Sequence, residues 1–183
     1  MKFAGIDYSL RGPAVCIFEG NKRCCFKDCT FHFLSKTKRL EGKHLSNIYG
    51  TLMPEWEHEC QRYQFISEWA FNLVRDCDKV MIEDYAYSAT GRVFNIGENT
   101  GLLKWKMWRS EVDYDVTPPS VIKKFGSGRG NAGKKDMYDS FLKDTKVDLR
   151  EELTPTTKNI KSPVSDIVDA FYICKYLHSI NTD

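Results

Sequence analysis

Phe3-Ala-Gly-Ile-Asp-Tyr-Ser9 decides how the rest of the sequence is read. A short apolar run ends in one acid, Asp7, and small polar residues follow. The run predicts a buried central strand, where a charge costs free energy unless something compensates it. The anomaly recurs twice. Glu83 ends Val80-Met-Ile-Glu83, and Asp166 and Asp169 interrupt the apolar run 164–177. If the strands of Asp7 and Glu83 are neighbours, their acids lie side by side. Asp166 and Asp169, three residues apart on a predicted helix, project from one face of it.

Carboxylates at close quarters repel and shift toward the protonated state. Mg²⁺ or Mn²⁺, hard ions that take oxygen ligands, remove the conflict. Two such ions roughly 3.5–4 Å apart generate a hydroxide and stabilise the leaving oxygen of a phosphodiester. Each acid also has a plainer reading. Asp7 alone is a turn-former, Asp84 faces the other side of its strand as a structural residue, and Asp166 complements a helix dipole. Asp169 lies too deep in its helix for that. Together the four fall where strand or helix is otherwise apolar, which favours a shared metal site.

Working outward, strands are predicted over 2–8, 13–18 and 23–34, joined by turns at Arg11-Gly-Pro13 and Glu19-Gly-Asn-Lys22 into an antiparallel meander. Residues 35–57 are polar and basic and predict a loop with a short helix. Apolar spacing of three and four predicts a helix over 57–76, then a strand over 79–85 and a second helix over 95–111. Gly97 and Gly101 on that helix suggest close approach of a neighbour. A short strand, 114–117, is stopped by Pro118-Pro119, which opens a helical turn to 125. Helix returns over 134–144, residues 145–161 form an irregular connection, and Ser162-Pro163 starts the last helix as N-cap and first residue. This order predicts an α/β sandwich: a mixed five-stranded sheet, its first three strands antiparallel, flanked by helices.

The 183 residues suit one domain, and 42% hydrophobic with 28% charged residues is ordinary for a globular protein. No segment is apolar enough to span a membrane, and the N-terminus lacks a signal-peptide core, which predicts a cytosolic or nuclear protein. Seven scattered cysteines favour reduced thiols. Cys24, Cys25, Cys29 and His32, with His58 and Cys60 further on, carry zinc-ligand side chains but no paired Cys-x-x-Cys knuckles. Buried cysteines in a strand are the competing reading. Net charge is only +2, yet Lys36, Lys38, Arg39 and Lys43 crowd one segment, and Lys123, Lys124, Arg129, Lys134 and Lys135 another. Such patches can follow a phosphate backbone.

Gly5-Ile-Asp7-Tyr-Ser9, Met81-Ile-Glu83 and Ser165-Asp-Ile-Val-Asp-Ala170, in that order, resemble the RuvC-type Holliday junction resolvases of the RNase H-like nuclease superfamily. The resemblance covers essentially the whole chain, residues 1–183, as one nuclease domain. It implies metal ligation by Asp7, Glu83, Asp166 and Asp169, two Mg²⁺ ions per site with Mn²⁺ as a substitute, and branched DNA as substrate. It also implies a homodimer, since two symmetric cuts need two sites related by a two-fold axis. A family lysine near the penultimate helix is matched by Lys134 or Lys135. Tyr85, Tyr87 and Phe94 compete for the aromatic that probes the junction. The long 35–57 stretch suggests a phage or viral relative, acting in the host cytoplasm.

Gly126-Ser-Gly-Arg-Gly is not a Walker loop, because Lys134 is followed by Lys135 rather than Ser or Thr. It is either a flexible linker or a phosphate grip using backbone amides and Arg129. Three other functions compete. A sugar-kinase-type phosphotransferase needs a second domain for which the chain is too short. A non-catalytic DNA-binding relative has no need of all four acids. A nuclease acting on hybrids, flaps or forks is compatible with every residue above.

Overall fold

β1 (Lys2–Asp7) is the centre of the molecule. It pairs antiparallel with β2 (Ala14–Glu19), which pairs antiparallel with β3 (Cys29–Ser35). On its other edge β1 runs parallel to β6 (Lys79–Glu83), and β6 runs parallel to β7 (Tyr114–Thr117). The structure, a computed structural model, describes residues 1–84 and 93–182.

Residues 35–57 depart from expectation. Besides the short helix expected there, a 3₁₀ turn at Lys38–Leu40, they form β4 (Gly42–His44) and β5 (Ile48–Leu52). β5 adds parallel to β3 and β4 closes the edge, so among the described residues the sheet has seven strands in the order β4-β5-β3-β2-β1-β6-β7 rather than five. Neither strand shows an apolar pattern: β4, the open edge, buries no side chain, and β5, between β4 and β3, buries only Ile48 and Gly50.

The sheet is sandwiched between two helical layers. α1 (Glu59–Val74) and α2 (Val93–Arg109) cover one face, burying Ala4, Ile6, Val80 and Ile82 against Ile66, Ala70 and Leu103. α6 (Val164–Thr182) covers the other, where Phe3, Phe31 and Met81 pack on Phe171 and Ile167. α3 (Pro119–Ser127), α4 (Lys134–Thr145) and a short α5 (Leu149–Leu153) pack around α6. α5 lies within the segment expected to be irregular.

One glycine governs how closely α6 sits. A Cβ on Gly5 would lie 2.3 Å from the backbone N of Cys174 and 2.7 Å from the carbonyl of Ala170. Only a hydrogen fits there, so the helix backbone rests directly on β1. Gly97 and Gly101, expected to admit a neighbour, have no described atom within 4 Å of such a Cβ.

The cysteines do not form the zinc set. Residues of a strand alternate between faces, and Cys29 points into the α6-side core while His32 stacks on Tyr49 from the opposite face. Cys24 and Cys29 are buried with sulfurs 3.6 Å apart, in the same core as Cys16 and Cys174. His58 instead caps α1, accepting from the Cys60 backbone N–H at 3.2 Å.

Candidate active site

The alternation along β1 puts Phe3, Gly5 and Asp7 on the α6 side. In β6 it puts Met81 and Glu83 there. Ile6 is paired with Ile82 in the parallel register, so Asp7 and Glu83 follow at the same level. α6 crosses β1 with Ala170 against Gly5, which brings Asp169 and, one turn earlier, Asp166 to the Asp7 end of the strand. Two adjoining cavities result. One, of about 710 Å³, is lined by Asp7, Asp166, Asp169 and Lys134. The other, of about 480 Å³, is lined by Asp7, Glu83, Asp169, Lys123 and Lys134.

The acids perturb one another. Burial, then the charges of Asp166, Asp169 and Glu83, hold the Asp7 carboxyl well above the ordinary range, with Lys134 opposing. Glu83 is pushed up to about 8 by burial and by Asp169, against Lys123. Asp169 is pushed up to about 7 by burial and by Asp166, against Lys134 and Lys123. Asp166 is also raised by burial, while hydrogen bonds from Ser162 and Ser165 and the Lys134 charge hold it down.

Those serines fix the Asp166 rotamer. Ser165 Oγ donates to Asp166 Oδ1 at 2.9 Å, and Ser162 Oγ donates to Oδ2. Ser162 was expected to cap the helix. Its hydroxyl is spent on the carboxylate one turn on, and α6 begins at Val164. Lys134 Nζ donates to Ser165 Oγ at 3.2 Å, so lysine, serine and acid form one chain of hydrogen bonds. Lys135 points away, 82% exposed and paired with Asp139 at 2.5 Å. Tyr8 donates to Asn99 Oδ1 at 3.1 Å and ties the end of β1 to α2.

Three participants escaped the sequence reading. Lys123 reaches the site because β7 ends level with Glu83, at Thr117, and α3 starts directly after Pro118. Ser165 lay inside the quoted motif but gave no sign of contact with a lysine. Asp84, read as structural, lines the second cavity. Arg129 is paired with Asp136 at 2.8 Å and lines neither cavity. Of the aromatics, Tyr85 and Tyr87 lie outside the described residues, and Phe94 is 85% exposed at the start of α2.

Among the described residues no three His, Cys, Asp or Glu side chains are gathered tightly enough to hold an ion as they stand. The donor chemistry nevertheless suits a hard divalent cation. The four carboxylates share two cavities with Lys123, Lys134 and Arg11; burial raises all four, and a neighbouring acid's charge adds to it at Asp7, Glu83 and Asp169.

The mixed sheet, with α6 laid across its central strand and acids at one end of β1, is an RNase H-like α/β fold. Among solved structures, Thermus thermophilus RuvC in complex with Holliday junction substrate is similar, with TM-score 0.62 at 14% identity, over 100% of this chain and 97% of that one. Another T. thermophilus RuvC structure gives 0.60 at 14% identity, over 100% and 98%. The fowlpox virus Holliday junction resolvase gives 0.50 at 14% identity, over 98% and 99%. At that identity the likeness is one of fold, and it bears out the resemblance carried by the three motifs. No family model matches the sequence, and no curated protein matches it at a significant level.

Proposed function

We propose that the protein is a metal-dependent endonuclease that resolves four-way DNA junctions by paired, symmetric phosphodiester hydrolysis. The observation that carries this reading is the meeting of Asp7, Glu83, Asp166 and Asp169 at one end of an RNase H-like sheet. Asp7 and Asp169 line both cavities, Asp166 the first and Glu83 the second, so the four acids can hold two ions between them. Bound there, Mg²⁺ or Mn²⁺ would supply the hydroxide nucleophile and stabilise the leaving oxygen.

The chain's own groups do the rest. Ser162 and Ser165 hold Asp166 in one orientation. Lys134, tethered by Ser165, places a cation beside the acids where charge develops on the phosphate. Lys123 does the same on the Glu83 side.

Paired cuts require a second copy. Gly97, Gly101, Trp105 and Trp108 recur on α2 at spacings of four, four and three, forming one stripe. Trp105 is 55% and Trp108 70% exposed, and the two glycines have no described neighbour within 4 Å of a Cβ position. Ile96 and Thr100 of the same helix line the acidic cavity. A homodimer through this stripe would set two active sites in fixed relation.

The test compares a synthetic four-way junction, a flap, a linear duplex and an RNA–DNA hybrid, each with Mg²⁺ and with excess chelator. Paired nicking of the junction with Mg²⁺ alone is expected. Asp7→Asn should abolish cleavage while junction binding survives. Cleavage that persists in chelator, or full activity in Asp7→Asn, would overturn the reading, and preference for the flap or hybrid would move it to those substrates.

A further inference from the structure

The acidic cavity does not end at the acids. Arg11 and Ser162 line both it and a second hollow, of about 430 Å³, that also takes in Ser35, Lys36 and Arg62. Lys36 in turn lines a third, of about 530 Å³, with Lys38, Glu55 and Trp56. Shared walls make the three one continuous groove, leading from Asp7, Asp166 and Asp169 to the far side of β3.

The groove has a built floor. Arg62, almost wholly buried, donates from Nε at 3.1 Å to the Leu10 carbonyl, beside Arg11. Its guanidinium also lies 4.6 Å from the Trp56 ring centroid. One side chain thus fixes both the loop that carries Arg11 and the aromatic at the other end. Lys36 Nζ lies 4.3 Å over the same ring, which fixes where that ammonium points.

Of the groove's cations, buried Arg62 is paired with Glu59 at 3.3 Å. Among the described residues, Arg11, Lys36 and Lys38 make no ion pair, whereas Arg129 and Lys135 are each neutralised by an aspartate. Arg39, their neighbour in sequence, is also used internally, donating to the Leu153 carbonyl at 2.6 Å. A row of unpaired cations that begins at acids suited to metal-assisted hydrolysis fits a polyanion running out of the site. We propose that the groove is a track for the DNA backbone, in which Arg11, Lys36 and Lys38 each neutralise a phosphate of the strand leaving the scissile position. The proposal rests on the nuclease reading and names the surface that reading needs.

The test is binding of a four-way junction to the full-length protein in Ca²⁺, followed by fluorescence anisotropy across a salt series. Arg11→Ala, Lys36→Ala and Lys38→Ala together should weaken binding and flatten the slope of log K against log salt by about 2–3, since each lost phosphate contact removes about 0.7–0.9. A control, Lys22→Ala with Arg23→Ala and Lys27→Ala, removes equal charge near the opposite end of the β1–β2 hairpin and should leave the slope unchanged. Thermal melting verifies that both triple variants are folded. A slope that falls equally in both would reduce the effect to net charge and overturn the track. A wild-type protein that binds and nicks the junction while the groove variant keeps its slope would overturn the track alone. A wild-type protein that binds no branched DNA would overturn both readings.

Discussion

Lys134 and Lys135 are adjacent in sequence and opposite in surroundings. Lys134 lines both acidic cavities and holds Ser165, while Lys135 is paired with Asp139 on the surface. If Lys134 stabilises charge on the phosphate, Lys134→Ala lowers the cleavage rate about 10²–10³-fold, the loss typical of one preorganised donor. Lys135→Ala leaves single-turnover cleavage of the junction within a factor of about two, because an exposed ion pair contributes little. The acids make a second prediction. Glu83 and Asp169 are raised to about 8 and about 7 in the folded chain, against ordinary values near 4. A raised acid favours folding fully only below its unfolded value, and that advantage is lost as pH climbs through the folded one. Metal-free protein should therefore lose stability between about pH 4 and pH 8, flattening above. Asp169→Asn should melt higher than wild type at pH 8 in chelator, by a few degrees. Added Mg²⁺ should reverse the order; a pH-independent melting temperature in chelator would contradict the crowding.

At the scale of elements, the contact between α6 and β1 sets the site. Gly5 lets the helix backbone descend to the strand, and Asp166 and Asp169 follow from where Ala170 and Cys174 sit. Gly5→Ala places a methyl 2.3 Å from a backbone nitrogen that cannot move aside alone. It should destabilise the fold by about 1–3 kcal/mol, the range for overpacking a filled core. Because the helix carries two of the acids, cleavage should fall even at temperatures where the variant is folded. Urea melts with single-turnover assays measure both. An unchanged midpoint would mean that α6 does not rest on β1 as described.

At the scale of the molecule, α2 faces outward with Trp105 and Trp108 while its inner face buries Leu103 and Met107. Trp105→Glu with Trp108→Glu, both exposed, should leave the monomer folded. If the stripe is the dimer surface, sedimentation gives a dimer for wild type and a monomer for the variant. Junction cleavage then changes from paired cuts to single nicks. A variant that stays dimeric would place the interface elsewhere. Across this scale the fold and the four acids differ in how they were legible. Short apolar runs exposed β1 and β6, three- and four-residue spacing exposed α1, and the Ser162-Pro163 start followed by an apolar run exposed α6, because those elements bury one face or both. β4 escaped as a three-residue edge strand with no buried side chain, and β5 because Ile48 and Gly50 are its only buried positions. α5 escaped because five residues carry too little periodicity.

The sequence by itself determined that four acids stand where apolar residues belong, and that they stand on two strand ends and one helix. That information is local: each acid conflicts with its own segment's pattern. Only the tertiary structure decided which groups surround them. Lys134 rather than Lys135, and Lys123 on the Glu83 side, follow from how α3, α4 and α6 pack against the sheet. The groove through Arg11 to Trp56 is of the same kind, joining residues 45 positions apart in sequence. Periodicity reports which face of an element is buried. It carries no record of which side chains from separate elements share one cavity, because that depends on the angle and depth at which the elements dock.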